Sequence, residues 1–352
     1  MEQLDQIDQQ LLNEMQDRFP TVPAPFAELA ARVGTGERDV LKRLAALRAS
    51  GILRQVSPIF DTKALGYATS LVAMRVPAER LPAAAEVANA HPGVSHNYRR
   101  NHEFNMWLTI AVPPSSDLQA HVDALHELAG AESTRMLPTL RLFKIGVTLD
   151  MTGERAMDHR SAPQYTHDQR EIAASQTLSA RDVAIVRAVQ GDLALEPAPF
   201  AGPAAELGMS VDELIEALAD LQRRGYLRRF AAILRHRKAG FGANGMAVWA
   251  VPEDQIEAIG QTMAGYTAIS HCYQRPVYPD WKYNLFTMIH ARKTGECEEF
   301  VAELAQRHGL ADHAVLYSTT EYKKVRLSYF TPEFEEWERA HVRVKSEVSH
   351  GV

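Results

Sequence analysis

Near the start of the chain the apolar positions recur at helical spacing in three short runs. Leu4, Ile7, Leu11, Leu12 and Met15 make one stripe, Phe26, Leu29, Ala30 and Val33 a second, and Val40, Leu41, Leu44 and Leu47 a third that stops at Gly51. Apolar residues three and four apart line one face of a helix, and a glycine just past the last of them supplies a helix end. A β-type segment at 52–60 follows and is expected to form a wing, so the pattern predicts a winged helix-turn-helix. Beyond it the period shortens. Strands are predicted at 69–76, 94–98, 106–112 and 133–137, with helices at 83–89 and 117–128, in the β-α-β-β-α-β order of a ferredoxin-like domain.

The same plan is then written again. Pro23-Ala24-Pro25-Phe26 returns as Pro197-Ala198-Pro199-Phe200 and Gly51-Ile52-Leu53-Arg54 as Gly225-Tyr226-Leu227-Arg228, each 174 positions on. Gly66-Tyr67 is answered by Gly240-Phe241, and Ser95-His96-Asn97-Tyr98-Arg99-Arg100 by Ser270-His271-Cys272-Tyr273-Gln274-Arg275. Helical stripes recur at Val183, Ile185, Val186 and Val189, at Leu207, and at Leu214, Ile215, Leu218 and Leu221, before a second β-type segment at 226–234. Strands are predicted at 246–251, 269–274, 285–290 and 314–318, and helices at 255–263 and 296–306. The predicted class is α+β, two tandem copies of a winged helix-turn-helix followed by a ferredoxin-like β-α-β-β-α-β domain. The expected boundaries are 1–62 and 177–236 for the helix-turn-helix parts and 63–150 and 237–332 for the ferredoxin-like ligand domains. The polar stretch 151–176, with Gly153, Ser161, Pro163 and Ser175, is expected to be a linker, and 333–352 a C-terminal tail.

Composition narrows the function classes. At 352 residues, 46% hydrophobic and 23% charged, the chain has material for several cores and resembles neither a disordered nor a membrane protein. No apolar run approaches a membrane span of ~18 residues, and the N-terminus lacks the basic and apolar regions of a signal peptide. Two cysteines, Cys272 and Cys297, cannot build a disulfide framework, so a cytoplasmic, reducing home is expected. A net charge of −6 argues against a surface built throughout to grip nucleic acid. The third helix of the first copy and its flanks carry Arg38, Lys42, Arg43, Arg48 and Arg54 against Glu37 and Asp39. The second sets Asp212, Glu213, Glu216 and Asp220 beside Arg223, Arg224, Arg228 and Arg229, with the acids where base edges would be read. Specific DNA binding is therefore not expected, and both motifs are expected to serve as packing or dimerisation units.

The repeated His-x-Tyr-x-Arg carries the candidate chemistry: His96, Tyr98 and Arg100 in one copy, His271, Tyr273 and Arg275 in the other. On a strand these alternate positions share one face. A proton donor near neutrality, a flat aromatic surface and a fixed cation would suit a bulky planar polyanion; the alternatives are an exposed outer face or a self-satisfied polar network. The copies then diverge. The second continues Pro276-Val277-Tyr278-Pro279-Asp280-Trp281-Lys282-Tyr283, a rigid aromatic loop suited to stacking on a ring system or to plugging the core. Lys323, Lys324 and Arg326 near its end are either binding cations or a solvated strand edge. His91, His121, His126 and His313 lack zinc-type spacing, and neither a phosphate-cradling glycine loop nor a Gly-x-Ser-x-Gly elbow is present. Any catalysis must then be acid–base chemistry or belong to the bound molecule.

Two stretches carry a family resemblance: Val94-Ser95-His96-Asn97-Tyr98-Arg99-Arg100-Asn101-His102-Glu103-Phe104-Asn105, and Ser270-His271-Cys272-Tyr273-Gln274-Arg275-Pro276 with Tyr278-Pro279-Asp280-Trp281-Lys282-Tyr283-Asn284-Leu285-Phe286-Thr287-Met288. Both halves resemble the Lrp/AsnC-like siroheme decarboxylases, as if the two subunit types of that family were fused in one chain. The likeness spans nearly everything outside the linker and the tail after Phe330. It implies a carboxy-lyase that removes the acetate carboxyl groups at C12 and C18 of siroheme, giving 12,18-didecarboxysiroheme in heme d1 or alternative heme biosynthesis. It also implies no cofactor beyond the iron-containing substrate, homologous decarboxylase subunits as partners, and a homo- or hetero-oligomer. Under it, His271, His96, Tyr273 and Tyr98 are the candidate catalytic residues, and Arg100, Arg275, Trp281, Lys323 and Lys324 the candidate substrate-binding residues. No metal site made by the protein alone is expected. His96 and His271 are candidates for proton donation or for a contact to the siroheme iron, and the His271 half is expected to be the productive one. The competing readings are an Lrp/AsnC-type transcription regulator and a tetrapyrrole-binding regulator without turnover.

Overall fold

The computed structural model describes residues 4–17, 19–145, 177–234, 243–291 and 294–342. The expected linker, 151–176, lies outside them. The chain divides into two units, Met1–Leu65 with Leu140–Val315, and Gly66–Thr139 with Leu316–Val352.

The first unit holds both helix-turn-helix segments. In the first copy, α1 (Gln6–Asp17), α2 (Pro25–Val33) and α3 (Glu37–Ala49) turn the predicted stripes inward, and Leu11, Leu12, Met15, Phe26, Leu29, Val40, Leu44 and Leu47 are buried. Proline opens α2 at a position needing no N–H, and Gly34 closes it with φ +74°. In the second copy, α6 (Ala180–Val189) and α8 (Val211–Arg223) open on reciprocal capping boxes, Ser179 with Asp182 and Ser210 with Glu213, flanking the short α7 (Ala201–Glu206).

The wings differ from expectation. Each copy supplies a single strand, β1 (Leu53–Phe60) or β7 (Leu227–Leu234), and the two pair antiparallel with each other, Val56 opposite Ala232. An isolated strand leaves a row of unpaired backbone groups, which this pairing covers. Phe230 of β7 seals the junction against Phe19 and Phe200, with ring centroids 6.3 and 5.5 Å away. The two motifs thus form one body. Their cations are also engaged: Arg43 is held by Asp5, Asp8 and Asp39 at 2.7, 2.9 and 2.7 Å, and Arg224 by Asp182 and Asp220 at 3.1 and 3.2 Å.

The same unit contains an antiparallel sheet in the order β8 (Ala243–Trp249), β10 (Leu285–Ala291), β9 (Ile269–Gln274), β6 (Arg141–Ile145). Helix α9 (Ile256–Ala264) packs on β9 and β6, and α10 (Thr294–His308) on β8 and β10. Gly260 in α9 is required by this packing, because a Cβ there would lie 2.4 Å from the Phe143 ring of β6.

The second unit is a sheet in the order β5 (Ser133–Leu137), β2 (Ala68–Arg75), β4 (Met106–Val112), β3 (Val94–Arg100), β11 (His313–Lys324). Helices α4 (Leu81–Ala90) and α5 (Leu118–Ala129) cover one face around Val72, Met74, Val94, Leu108, Ile110 and Leu125. The stretch expected as a tail contributes α11 (Glu333–His341), which buries Phe334 and brings Trp337 into this core.

The two sheets therefore exchange strands. β6 comes from the first copy but pairs with β9 of the second, and the end of β11 comes from the second copy but pairs with β3 of the first. In the first copy Pro138, which has no N–H to give a ladder, separates β5 from β6; the second has Ser318-Thr319 and runs through as one strand.

Candidate functional site

Each site strand carries one extra residue. β3 sets Val94 against Ile110 and His96 against Thr109, leaving Ser95 over; β9 sets Ile269 against Ile289 and His271 against Met288, leaving Ser270 over. Such a bulge turns two consecutive side chains to the same side. The hydroxyl is thereby brought to the imidazole, with Ser95 Oγ 3.0 Å from His96 Nδ1 and Ser270 Oγ 2.8 Å from His271 Nδ1.

Beyond the bulge normal alternation resumes. Asn97 points at α4, where its Nδ2 donates to Ala85 O and Asn89 Oδ1, and Cys272 points at α9, with Sγ 3.7 Å from Gly260 O. Burial pushes the Cys272 thiol up, which leaves it without nucleophilic character at neutral pH. His96, Tyr98 and Arg100 consequently share the face turned from the helices, as do His271, Tyr273 and Arg275. The His and Tyr centroids are 6.1 Å apart in one unit and 5.9 Å in the other. The Arg275 guanidinium lies 4.9 Å from the Tyr273 centroid and 5.3 Å from that of Phe286; Arg100 lies 5.7 Å from Tyr98.

Arg100 is electrostatically unusual. It is 5% exposed, donates to Leu316 O at 2.7 Å, has no hydrogen-bond partner at Nε, and makes no ion pair with any described carboxylate. Burial pulls its pKa down to about 10. A buried guanidinium without a counterion is costly unless an anion arrives to meet it.

The lysines separate. Lys324 stands opposite His96 in the ladder, on the site face. Lys323, expected among the binding cations, stands opposite Asn97 on the helix side, and its Nζ donates to Asn89 O at 2.6 Å and His91 O at 3.1 Å. It is a cap for the C-terminal end of α4, where a cation meets the free carbonyls, and burial lowers its pKa. Lys144 of β6 does the same in the other unit, donating to Tyr266 O just past α9 at 2.6 Å. The matching place of the two lysines near the copy ends was the available signal. Trp281 is 2% exposed and packs against Tyr283 and Phe286, so it plugs the loop, and Phe286 in turn lies under the Arg275 guanidinium.

Sequence reasoning missed Ser270 and His290. His290 Nε2 lies 2.8 Å from Ser270 Oγ, and its one trace in the sequence is a histidine where the first copy has Ala111. Among the described residues no group of three or more His, Cys, Asp or Glu could hold a metal ion.

A duplicated helix-turn-helix joined to a duplicated AsnC-like ligand sheet defines the class of protein. The profile of the AsnC-like ligand binding domain matches residues 64–144 and 238–323, and that of the siroheme decarboxylase NirDL-like HTH domain matches 8–54 and 182–228. The siroheme decarboxylase of Hydrogenobacter thermophilus is 41% identical over 93% of this chain and 96% of its own. The alpha subunit of the Desulfovibrio desulfuricans siroheme decarboxylase is 38% identical over 43% of this chain and 87% of its own. The crystal structure of the siroheme decarboxylase NirDL in co-complex with an iron-uroporphyrin III analogue superimposes with a TM-score of 0.73 at 36% identity, covering 96% of this chain and 98% of that one. The chain belongs to the siroheme decarboxylase family.

Proposed function

We propose that this chain is a carboxy-lyase that removes the C12 and C18 acetate carboxyl groups of siroheme, giving 12,18-didecarboxysiroheme and carbon dioxide. The observation that carries this reading is the doubled face of imidazole, phenol and guanidinium, together with an Arg100 charge sealed away from every described carboxylate. A planar substrate edged with carboxylates suits such a surface. When an acetate loses carbon dioxide, the electron pair passes into the macrocycle, and an acid returns one proton to make the methyl group. No oxidant enters, and no cofactor beyond the substrate is called for.

In this reading His271 is the proton donor and His96 its counterpart on the other sheet. Arg275, Arg100 and Lys324 hold carboxylates that survive, and Tyr273 and Tyr98 offer the rings beside them. The His271 sheet is the productive one, because its face adjoins Met246, Val248, Phe286 and Met288, an apolar floor for a flat ring. The regulator reading is weakened by the ion pairs that occupy Arg43 and Arg224. Among the described residues no helix is long and apolar enough to cross a membrane; we place the reaction in the cytoplasm, in the formation of heme d1 or of heme, with homologous subunits as candidate partners.

Anaerobic incubation of the purified chain with siroheme, followed by mass analysis, tests the proposal. The expected result is loss of two molecules of carbon dioxide per pigment. Unchanged pigment together with sequence-specific, steeply salt-dependent DNA binding would favour a regulator instead.

A further inference from the structure

Resting on that reading, we infer that Ser270 and His290 form a relay behind His271 that sets its tautomer and resupplies its proton. The geometry is a line of two hydrogen bonds, His290 Nε2 to Ser270 Oγ at 2.8 Å and Ser270 Oγ to His271 Nδ1 at 2.8 Å. A hydroxyl has one hydrogen, which Ser270 Oγ can give to His271 Nδ1, to His290 Nε2 or, over a longer 3.3 Å, to Met288 O; the two 2.8 Å contacts favour an imidazole, so the hydroxyl donates to one ring and accepts from the other. If Ser270 donates to His271 Nδ1, the neutral His271 ring carries its hydrogen on Nε2. With the opposite polarity that hydrogen sits on Nδ1 and points at Ser270, and Nε2 has nothing to give. Only the first arrangement lets the neutral His271 ring give a proton from Nε2.

The proton then has a complete path. As the C–C bond breaks, carbon dioxide departs and the electron pair stays with the methylene carbon and the macrocycle. His271 Nε2–H protonates that carbon, the Ser270 hydroxyl proton moves to His271 Nδ1, and the His290 Nε2 proton moves to Ser270. His290 enters as imidazolium and leaves neutral, while His271 is neutral before and after. One proton from water onto His271 Nε2 drives the line backwards and recharges His290 for the second acetate.

The other sheet provides an internal control. His290 N–H donates to Ala268 O at 3.1 Å, and Ala111 N–H donates to Gly93 O at 3.0 Å, so the two residues occupy equivalent backbone places. Ser95 and His96 reproduce the first hydrogen bond, but a methyl group stands where the second imidazole would be. Ser270 and His290 are positioning residues, acting through His271.

The test uses the full chain. In anaerobic single turnover, Ser270→Ala and His290→Ala are each expected to slow both losses of carbon dioxide about 100-fold, the low end for positioned acid catalysis, with siroheme affinity by absorbance titration nearly unchanged. Ser270→Thr, which keeps the hydroxyl, restores the rate, and added imidazole restores part of the His290→Ala rate. Nitrogen NMR of His271 in the native chain shows hydrogen on Nε2, and Ser270→Ala yields a tautomer mixture. Native rates in both alanine variants, or a native His271 with hydrogen on Nδ1, overturn the relay. A native chain that binds siroheme without releasing carbon dioxide overturns the proposed reaction, and the NMR result still decides the hydrogen-bond polarity.

Discussion

The β9 face and the β3 face began as copies and now differ in what backs the shared triad. Both retain the bulged serine, the imidazole and the tyrosine beneath an arginine. On β9 the imidazole leads through Ser270 to His290, and its neighbours are methionines, a valine and Phe286. On β3 the corresponding neighbours are Thr109, Leu71 and Trp107, and the arginine is the more deeply buried of the pair. Both copies keep the imidazole, phenol and guanidinium, whereas the second imidazole behind the serine is present in one copy alone.

The most decisive way to break this contrast is to remove each imidazole. His271→Ala is expected to lower the decarboxylation rate by about 10²–10⁴-fold, and His96→Ala by less than about tenfold, in single-turnover mass analysis. Equal losses would make the faces equivalent. The next largest effect falls on the β3 unit alone. Trp337 packs on His91 and His121 at centroid distances of 4.1 and 5.0 Å, so Trp337→Ala is expected to cost about 3–5 kcal/mol in denaturant unfolding followed by a probe in that unit.

Acid sharpens the same difference. Burial first, then the charges of His121, Lys323 and His341, push His91 down to about 3 from 6.5, and burial also lowers His121. The His91 Nε2 to His121 Nδ1 bond at 2.9 Å suits two neutral rings, although Glu338 stands 3.7 Å from His121. The unfolded chain takes up these protons below about 6.5 and the folded chain does not. Stability is therefore full above that pH and falls on acidification toward 3, by up to about 1.4 kcal/mol per pH unit for His91. Tyr266 holds the corresponding place beside Lys144 in the other unit. Hydrogen exchange at pH 5 is expected to show α4, α5 and α11 losing protection first, and His91→Phe to flatten the trend. The smallest effect concerns Arg100. Arg100→Met removes an uncompensated buried charge, so the ligand-free chain is expected to gain about 1 kcal/mol while siroheme binding weakens; a loss of stability without siroheme would show the guanidinium to be structurally satisfied.

Much of the fold was legible because periodicity is local. The stripes at Leu11 to Met15 and Val40 to Leu47 and the strands around the two triads stand where spacing put them. The strand exchange was hidden, since two similar copies present the same local pattern whichever sheet a terminal strand joins. The single-strand wings were hidden for the same reason. Phe334 and Trp337 sit at helical spacing with His341, a short local signal inside the stretch expected to be a tail. Within the site, alternation revealed His96, Tyr98, Arg100 and their counterparts. It failed at Ser270, where the bulge breaks alternation, and at Lys323, where a residue one place from Lys324 points to the opposite side of the sheet.

The donated strands bear on how such a chain can be made. A separately synthesised first half would end in β6 with no sheet to receive it, and its own β3 would present a bare edge; the second half would meet the mirror-image problem with β11. Covalent linkage guarantees each half its donor at one-to-one stoichiometry, however few molecules the cell contains. Splitting the gene would turn an intramolecular step of folding into an encounter between two aggregation-prone fragments.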